Sequence, residues 1–181
     1  RFGVQFNKKS KQLKMGFRRA ASNELIEQQV CPVLVPELEA LIQPVKRLLD
    51  NLTGKADLGH IELMLADQGV VVLLRHMSAF SSDDLARISA FSTEYNVNFF
   101  GLDPTQQTIC LAGEAKLTYS LAPWDHSLSF SPTDFLQVNS KINQKMLAQA
   151  LTWLNLDKED HVLDLFCGLG NFTLPIASNV A

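Results

Sequence analysis

The chain has 181 residues, of which 46% are hydrophobic and 19% charged, with a formal net charge of −3. Such a balance excludes an intrinsically disordered segment and a disulfide scaffold, because Cys31, Cys110 and Cys167 are few and scattered. It also holds no apolar run of the roughly 18 residues that span a bilayer and no leader pattern, so a cytoplasmic protein is expected.

Alternating hydrophobicity in Phe2-Gly-Val4-Gln-Phe6 and Leu13-Lys-Met15-Gly-Phe17 predicts two strands joined by polar residues 7–12. Positions 1–19 carry Arg1, Lys8, Lys9, Lys11, Lys14, Arg18 and Arg19 and no acid, whereas the remainder carries nine basic and nineteen acidic residues. A hairpin so charged faces a polyanion, or is a solvated hairpin whose lysines guard an edge. Residues 25–30 read as a third strand. A helix is expected from Pro36 along Leu38, Leu41, Ile42, Val45, Leu48, Leu49 and Leu52, kinked at Pro44 and closed by Gly54.

Two strands, 58–66 and 70–76, flank the turn Asp67-Gln68-Gly69. Residues 81–84 cap a helix along Leu85, Ile88, Phe91 and Tyr95. Further strands are predicted at 97–102, 108–112 (with Cys110 in the core), 117–121 and 127–130. From residue 25 to 102 the order is strand, helix, strand, strand, helix, strand. That is the βαββαβ order of a ferredoxin-like α+β domain with a mixed sheet. The boundary is set at 130/131, giving a central α+β domain (1–130) and the beginning of an α/β, class I Rossmann-like domain (131–181).

In the second part Asn139 caps a helix that buries Ile142, Met146, Leu147, Ala150, Leu151 and Leu154. The run His161-Val-Leu-Asp164-Leu-Phe166-Cys167-Gly168-Leu-Gly170-Asn171-Phe172-Thr-Leu-Pro175 then reads as a buried parallel strand, a glycine turn and a helix. The glycines let backbone approach a ligand and permit positive φ. Thr173 stands where a dinucleotide fingerprint has its third glycine, and no lysine lies in the loop, which disfavours a pyrophosphate. A carboxylate at Asp164 suits the cationic amine of S-adenosylmethionine. A tight turn with no ligand is the alternative. The chain starts at Arg1 inside a predicted strand and stops at Ala181 soon after this helix, so it reads as a fragment. The acid that grips the cofactor ribose is expected beyond it.

Phe130-Ser-Pro132-Thr-Asp134-Phe135-Leu-Gln137-Val-Asn139, Asn143-Gln-Lys-Met146 and the run from Asp164 to Pro175 together resemble the RNA uracil-5-methyltransferases, specifically the bacterial 23S ribosomal RNA type. Leu13-Lys-Met-Gly-Phe-Arg18 and Cys31-Pro32 fit the central domain of that type, so the resemblance covers nearly the whole chain. It implies Gln137, Phe166 and Asn171 as contacts for S-adenosylmethionine. Taken singly they would be a helix-entry residue bonded to its own backbone, a core aromatic and a helix cap. It also implies Cys31 as one ligand of a [4Fe-4S] cluster in the full-length protein. The other three cysteines are absent here, so no cluster is expected in this chain, and Cys31 alone would be a buried loop cysteine.

The reaction implied by the resemblance is attack of a cysteine thiolate on C6 of uracil, methyl transfer to C5 and removal of the C5 proton by a carboxylate base. No catalytic residue is assigned, since nucleophile and base are expected downstream of Ala181 and Cys167 belongs to the cofactor turn. The chain alone is expected to be inactive. The implied partner is 23S rRNA, gripped by Arg1, Arg18 and Arg19, with no membrane and no protein partner. The four histidines are read as ordinary. Alternatives are a non-catalytic RNA-binding module and a class I methyltransferase acting on protein or a small molecule.

Overall fold

In the computed structural model, which describes residues 1–180, β1 (Phe2–Asn7) and β2 (Gln12–Arg18) pair antiparallel with Gly3 opposite Gly16 and Gln5 opposite Lys14. The two-residue period buries Phe2, Val4, Leu13 and Met15 and leaves Gln5 and Lys14 exposed. β3 (Leu25–Glu27) pairs with β2 and is only half the length expected from residues 25–30. Glycine is required at position 16, where a Cβ would overlap the Ile26 carbonyl across that pairing.

The single helix expected over residues 36–52 is two: α1 (Pro36–Glu39) and α2 (Ile42–Asn51). Pro44 falls in the first turn of α2, where a missing N–H costs no helical bond, so the chain restarts a helix rather than kinking one. β4 (Leu58–Ala66) and β5 (Gly69–His76) form an antiparallel hairpin, closed at Gly69 with φ 99°. α3 (Ser82–Tyr95) then carries the chain to β6 (Val97–Leu102), parallel to β5, and β7 (Thr108–Ala112) returns antiparallel. Cys110, expected in the core, is only half-buried on this last strand.

The seven strands lie in the order β3-β2-β1-β4-β5-β6-β7. The sheet is mixed, as expected, but the ferredoxin-like order is corrected. A ferredoxin-like order would insert β3 between β5 and β6; instead β3 stands at the sheet edge beyond the β1–β2 hairpin, and β5 and β6 pair directly. Sequence order alone does not reveal that a preceding hairpin will intercalate. Ile42, Val45 and Leu49 of α2 and Ile88 and Phe91 of α3 share one core with Phe2, Met15, Ile61, Val72, Leu74 and Phe99.

The molecule divides into two units, Arg1–Ala115 and the part from Lys116 on. The second contains β8 (Leu117–Leu121) and β9 (His126–Phe130), an antiparallel pair, then α4 (Ser140–Leu154) and α5 (Thr173–Ala177). β8 and β9 thus belong with the helices that follow them, on the far side of the expected boundary at 130/131. The reason is burial: Leu121 and Leu128 close a core with Leu147 of α4. The predicted parallel strand at 162–165 is corrected to irregular chain with Leu163 and Leu165 exposed. An apolar run becomes a strand only beside a partner, and among the described residues the second unit's sheet holds β8 and β9 alone. No helix among the described residues is long and apolar enough to cross a membrane.

Asp84 ties the first turn of α3 to the loop after α2. Its carboxylate accepts from Thr53 N (2.7 Å), Thr53 Oγ1 (2.7 Å) and Gly54 N (3.1 Å). Burial by itself pushes this carboxyl up, but the hydrogen bonds from Thr53, Gly54 and Ser81 outweigh it and the net shift is downward. A carboxyl lowered on folding contributes stability above its unfolded value, and the contribution is lost as pH falls through the folded value. Asp84→Asn should therefore unfold in urea with a stability lower by about 1–3 kcal/mol at pH 7. The gap from the parent should close below the usual carboxylate range; a gap independent of pH would contradict the assignment.

Candidate functional site

From Asp164 into α5 the chain is pinned by three apolar anchors. Leu169, Phe172 and Leu174 pack onto the core of Leu121, Leu128 and Leu147, while Phe166, Cys167 and Gly168 project outward. The turn is held by Gly170 N donating to Cys167 O (3.0 Å) and by Thr173 Oγ1 donating to Asp164 Oδ2 (2.6 Å). Gly168 and Gly170 have φ of 57° and 90°, the left-handed conformations expected of them. No protein atom lies within 4 Å of where a Cβ on Gly168 would stand, so it is the backbone conformation and not protein packing that calls for glycine there.

Phe166 also lies at φ 61°, a region costly for a bulky side chain, and its ring is fully exposed. An aromatic that is both strained and unburied is the kind of feature that gathers at ligand sites. Taken singly the residue would be a core aromatic, and it is not core here.

These loop residues face a cavity of about 470 Å³ whose other walls are Tyr119, Leu128 and residues 134–137. Gln137 and Asn171, both expected from the sequence, line it together with Phe166. The Gln137 amide makes no bond to its own backbone among the described residues, leaving both ends available to a ligand. Asn171 is partly committed: its amide and that of Asn143 bond reciprocally, Asn143 Nδ2 to Asn171 Oδ1 at 2.8 Å and Asn171 Nδ2 to Asn143 Oδ1 at 2.9 Å. The Asn143 amide also donates to Tyr119 OH (3.3 Å). Asp134 accepts from Ser131 N (2.7 Å), which shapes the segment leading to Gln137. Apolar and aromatic walls with a few convergent amides are the usual make-up of a small-molecule site.

Asn143 was given no role by sequence reasoning. It is 1% exposed on the same helical face as Leu147, and the available signal was a polar residue one turn before an apolar core position.

In the first unit, the basic hairpin sorts its charges. Arg1 contacts His60 (3.0 Å) and Glu62 (3.7 Å), Arg19 pairs with Glu24 (3.3 Å), and Arg18 donates to Asn23 (3.1 Å). His60 is lowered by burial first and by the Arg1 charge second, against the pull of Glu62. Lys8, Lys9, Lys11 and Lys14 are exposed and have no acidic partner among the described residues. Lys8 and Lys14 line a groove of about 440 Å³ with Gln5, Ser10 and Gln12. Arg1 and Arg19 are thus partly neutralised, whereas Arg18 and the lysines have no carboxylate partner among the described residues.

Cys31 is buried in the turn before α1, its N–H donating to Glu39 Oε1 (3.0 Å). All three cysteines are free thiols, and among the described residues no group of three or more His, Cys, Asp or Glu is placed to hold a metal ion. One thiol does not fit a four-thiolate cluster, so this chain's residues by themselves do not form one.

The sequence profile of the tRNA (Uracil-5-)-methyltransferase family matches residues 4–181. The chain belongs to that family. Among curated members, the 23S rRNA (uracil(1939)-C(5))-methyltransferase RlmD of Psychromonas ingrahamii is 67% identical over 99% of this chain and 40% of its own length. The protein of that name from Erwinia tasmaniensis is 45% identical over 97% of this chain and 40% of its length. The chain thus spans about 40% of these family members. In fold it is similar to the tRNA (uracil-54, C5)-methyltransferase of Pyrococcus abyssi, solved in complex with S-adenosyl-L-homocysteine. The TM-score is 0.69 at 16% identity, covering 98% of this chain and 46% of that one.

Proposed function

We propose that this chain is the central domain and the entrance of the Rossmann-like methyltransferase domain of a bacterial, cytoplasmic 23S rRNA uracil-C5 methyltransferase that uses S-adenosylmethionine. The observation that carries this reading is the convergence of Gln137, Phe166 and Asn171 on one cavity beside two left-handed glycines, in a chain of this family. A Cβ-free Gly168 leaves backbone open to a ligand, and the apolar walls suit an adenosyl group, so the residues present fit the cofactor.

When bound, S-adenosylmethionine supplies an electrophilic methyl group on a sulfonium. This chain's share is binding and orientation: the Gln137 amide offers a donor and an acceptor to the methionine tail, and Phe166 presents an apolar face. The thiolate that adds to uracil C6 and the base that removes the C5 proton are supplied from outside these residues. Release of the thiolate then restores the ring as 5-methyluridine. In the full-length protein, Gln137→Ala should raise the dissociation constant for S-adenosylmethionine about tenfold, measured by calorimetry; wild-type affinity would remove Gln137 from the site.

The first unit meets the RNA through its basic hairpin, and the unpaired lysines carry that contact more than the arginines do. Replacing Lys8 and Lys14 together with glutamine should weaken binding to unmodified 23S rRNA and lower the steepness of its salt dependence by about two phosphate contacts. The pair Arg1→Gln and Arg19→Gln should change the slope less. Equal slopes for all variants would reject the hairpin as an RNA face.

Cys31 completes a [4Fe-4S] cluster only if three further thiolates come from elsewhere in the full-length protein. Its closeness to Pro32 in the turn before α1 and the family membership support that reading. Cys31→Ser in the full-length protein should lower its iron content, assayed chemically and by visible absorbance, and full iron occupancy would exclude the ligand role.

A further inference from the structure

From the amide pair described above we infer that Asn143 is a positioning residue for cofactor binding: it sets the plane and the direction of the Asn171 amide and thereby which of its polar atoms faces the cavity. The inference rests on the reading of Asn171 as a cofactor contact. Asn171 lies in a turn of the glycine loop and lines the cavity, whereas Asn143 is buried one turn before Leu147 on α4 and does not line it.

An isolated asparagine rotates freely about its last torsion, and its oxygen and nitrogen can exchange places. A reciprocal pair removes that freedom, because each amide must present one N–H and one oxygen in a common plane. Asn143 spends both hydrogens, one on Asn171 Oδ1 (2.8 Å) and one on Tyr119 OH (3.3 Å), and accepts from Asn171 Nδ2 (2.9 Å). Asn171 spends one hydrogen and one lone pair, so its second N–H and its second lone pair stay available in a fixed direction. Tyr119, at the cavity wall, is locked by the same amide. The bonds converge on Asn143, which is 1% exposed, a low-dielectric setting in which such bonds are strongest. A helix whose capping and packing are independent of the ligand thus sets the geometry of a loop that touches it.

Three variants of the full-length protein test this: Asn143→Leu, which keeps the forked heavy-atom pattern and removes every bond; Asn143→Asp, which keeps the acceptor and loses the donor; and Asn171→Ala. Both Asn143 variants should raise the KM and the dissociation constant for S-adenosylmethionine about tenfold, with kcat at saturating cofactor and KM for RNA unchanged. The Asp variant also guards against failure of the Leu variant to fold, and thermal unfolding reports on both. A lower kcat with unchanged cofactor KM would mean a merely structural role and overturn the inference. If Asn171→Ala weakens cofactor binding and folded Asn143 variants do not, the positioning role fails while the cofactor site stands. Should Asn171→Ala bind as the parent does, the cofactor role of Asn171 itself is wrong, and the inference falls with it.

Discussion

Burial of Leu169, Phe172 and Leu174 against the small core of Leu121, Leu128 and Leu147 is the constraint on which the second unit depends. A glycine-containing turn has little structure of its own, and the entropy of ordering it must be offset by neighbouring contacts. Here the hydrophobic anchors Leu169, Phe172 and Leu174 hold its far half, and the near half, residues 166–168, is exposed, with Phe166 and Gly168 in left-handed backbone. The result is a loop that is fixed where it meets protein and open toward the cavity. The Asn143–Asn171 pair adds direction to that anchoring, since apolar packing is non-directional and hydrogen bonds are not.

The first unit solves a different problem. Its only parallel contact among the described residues, β5 with β6, needs a crossover, and α3 supplies it. α2 covers the same side of the sheet, where Phe2, Met15 and Ile61 are buried. With one side of the hairpin committed to that core, the residues at alternate positions, Gln5 and Lys14, are left to solvent. Charge therefore accumulates on a surface that costs the core nothing. Arg1 and Arg19 near the hairpin's base meet carboxylates and a histidine of neighbouring segments, Arg18 meets an asparagine amide, and the lysines toward the tip have no acidic partner among the described residues. The strength of a polyanion contact depends on charges not already neutralised within the molecule.

How legible the molecule was from its sequence differs by element. Strands with a strict two-residue period, helices with a capping residue such as Ser81 or Asn139, and the turn at Gly69 follow from local rules and stand where expected. Residues 162–165 show the limit of those rules. Apolar content marks a segment as one that can be covered, and only a neighbouring strand turns it into sheet; here Leu163 and Leu165 remain exposed. The helix over 36–52 divided because Pro44 is compatible with a first turn and incompatible with an interior one.

For the candidate site, Gln137, Phe166 and Asn171 came from motifs that resemble those of the RNA uracil-5-methyltransferases; residue type and spacing taken singly read them as a helix-entry residue, a core aromatic and a helix cap. That the three line one cavity, that Phe166 is strained and exposed, and that Asn171 is half-committed to Asn143 twenty-eight residues away depend on contacts between distant parts of the chain. The sequence by itself determined the charge of the hairpin, the element types outside residues 162–165 and the glycine turn, since these rest on side-chain chemistry and short-range sterics. Strand order, the pairing of the arginines and the direction of the Asn171 amide were decided by tertiary structure alone. Each is a choice among partners that become neighbours only once the chain has folded.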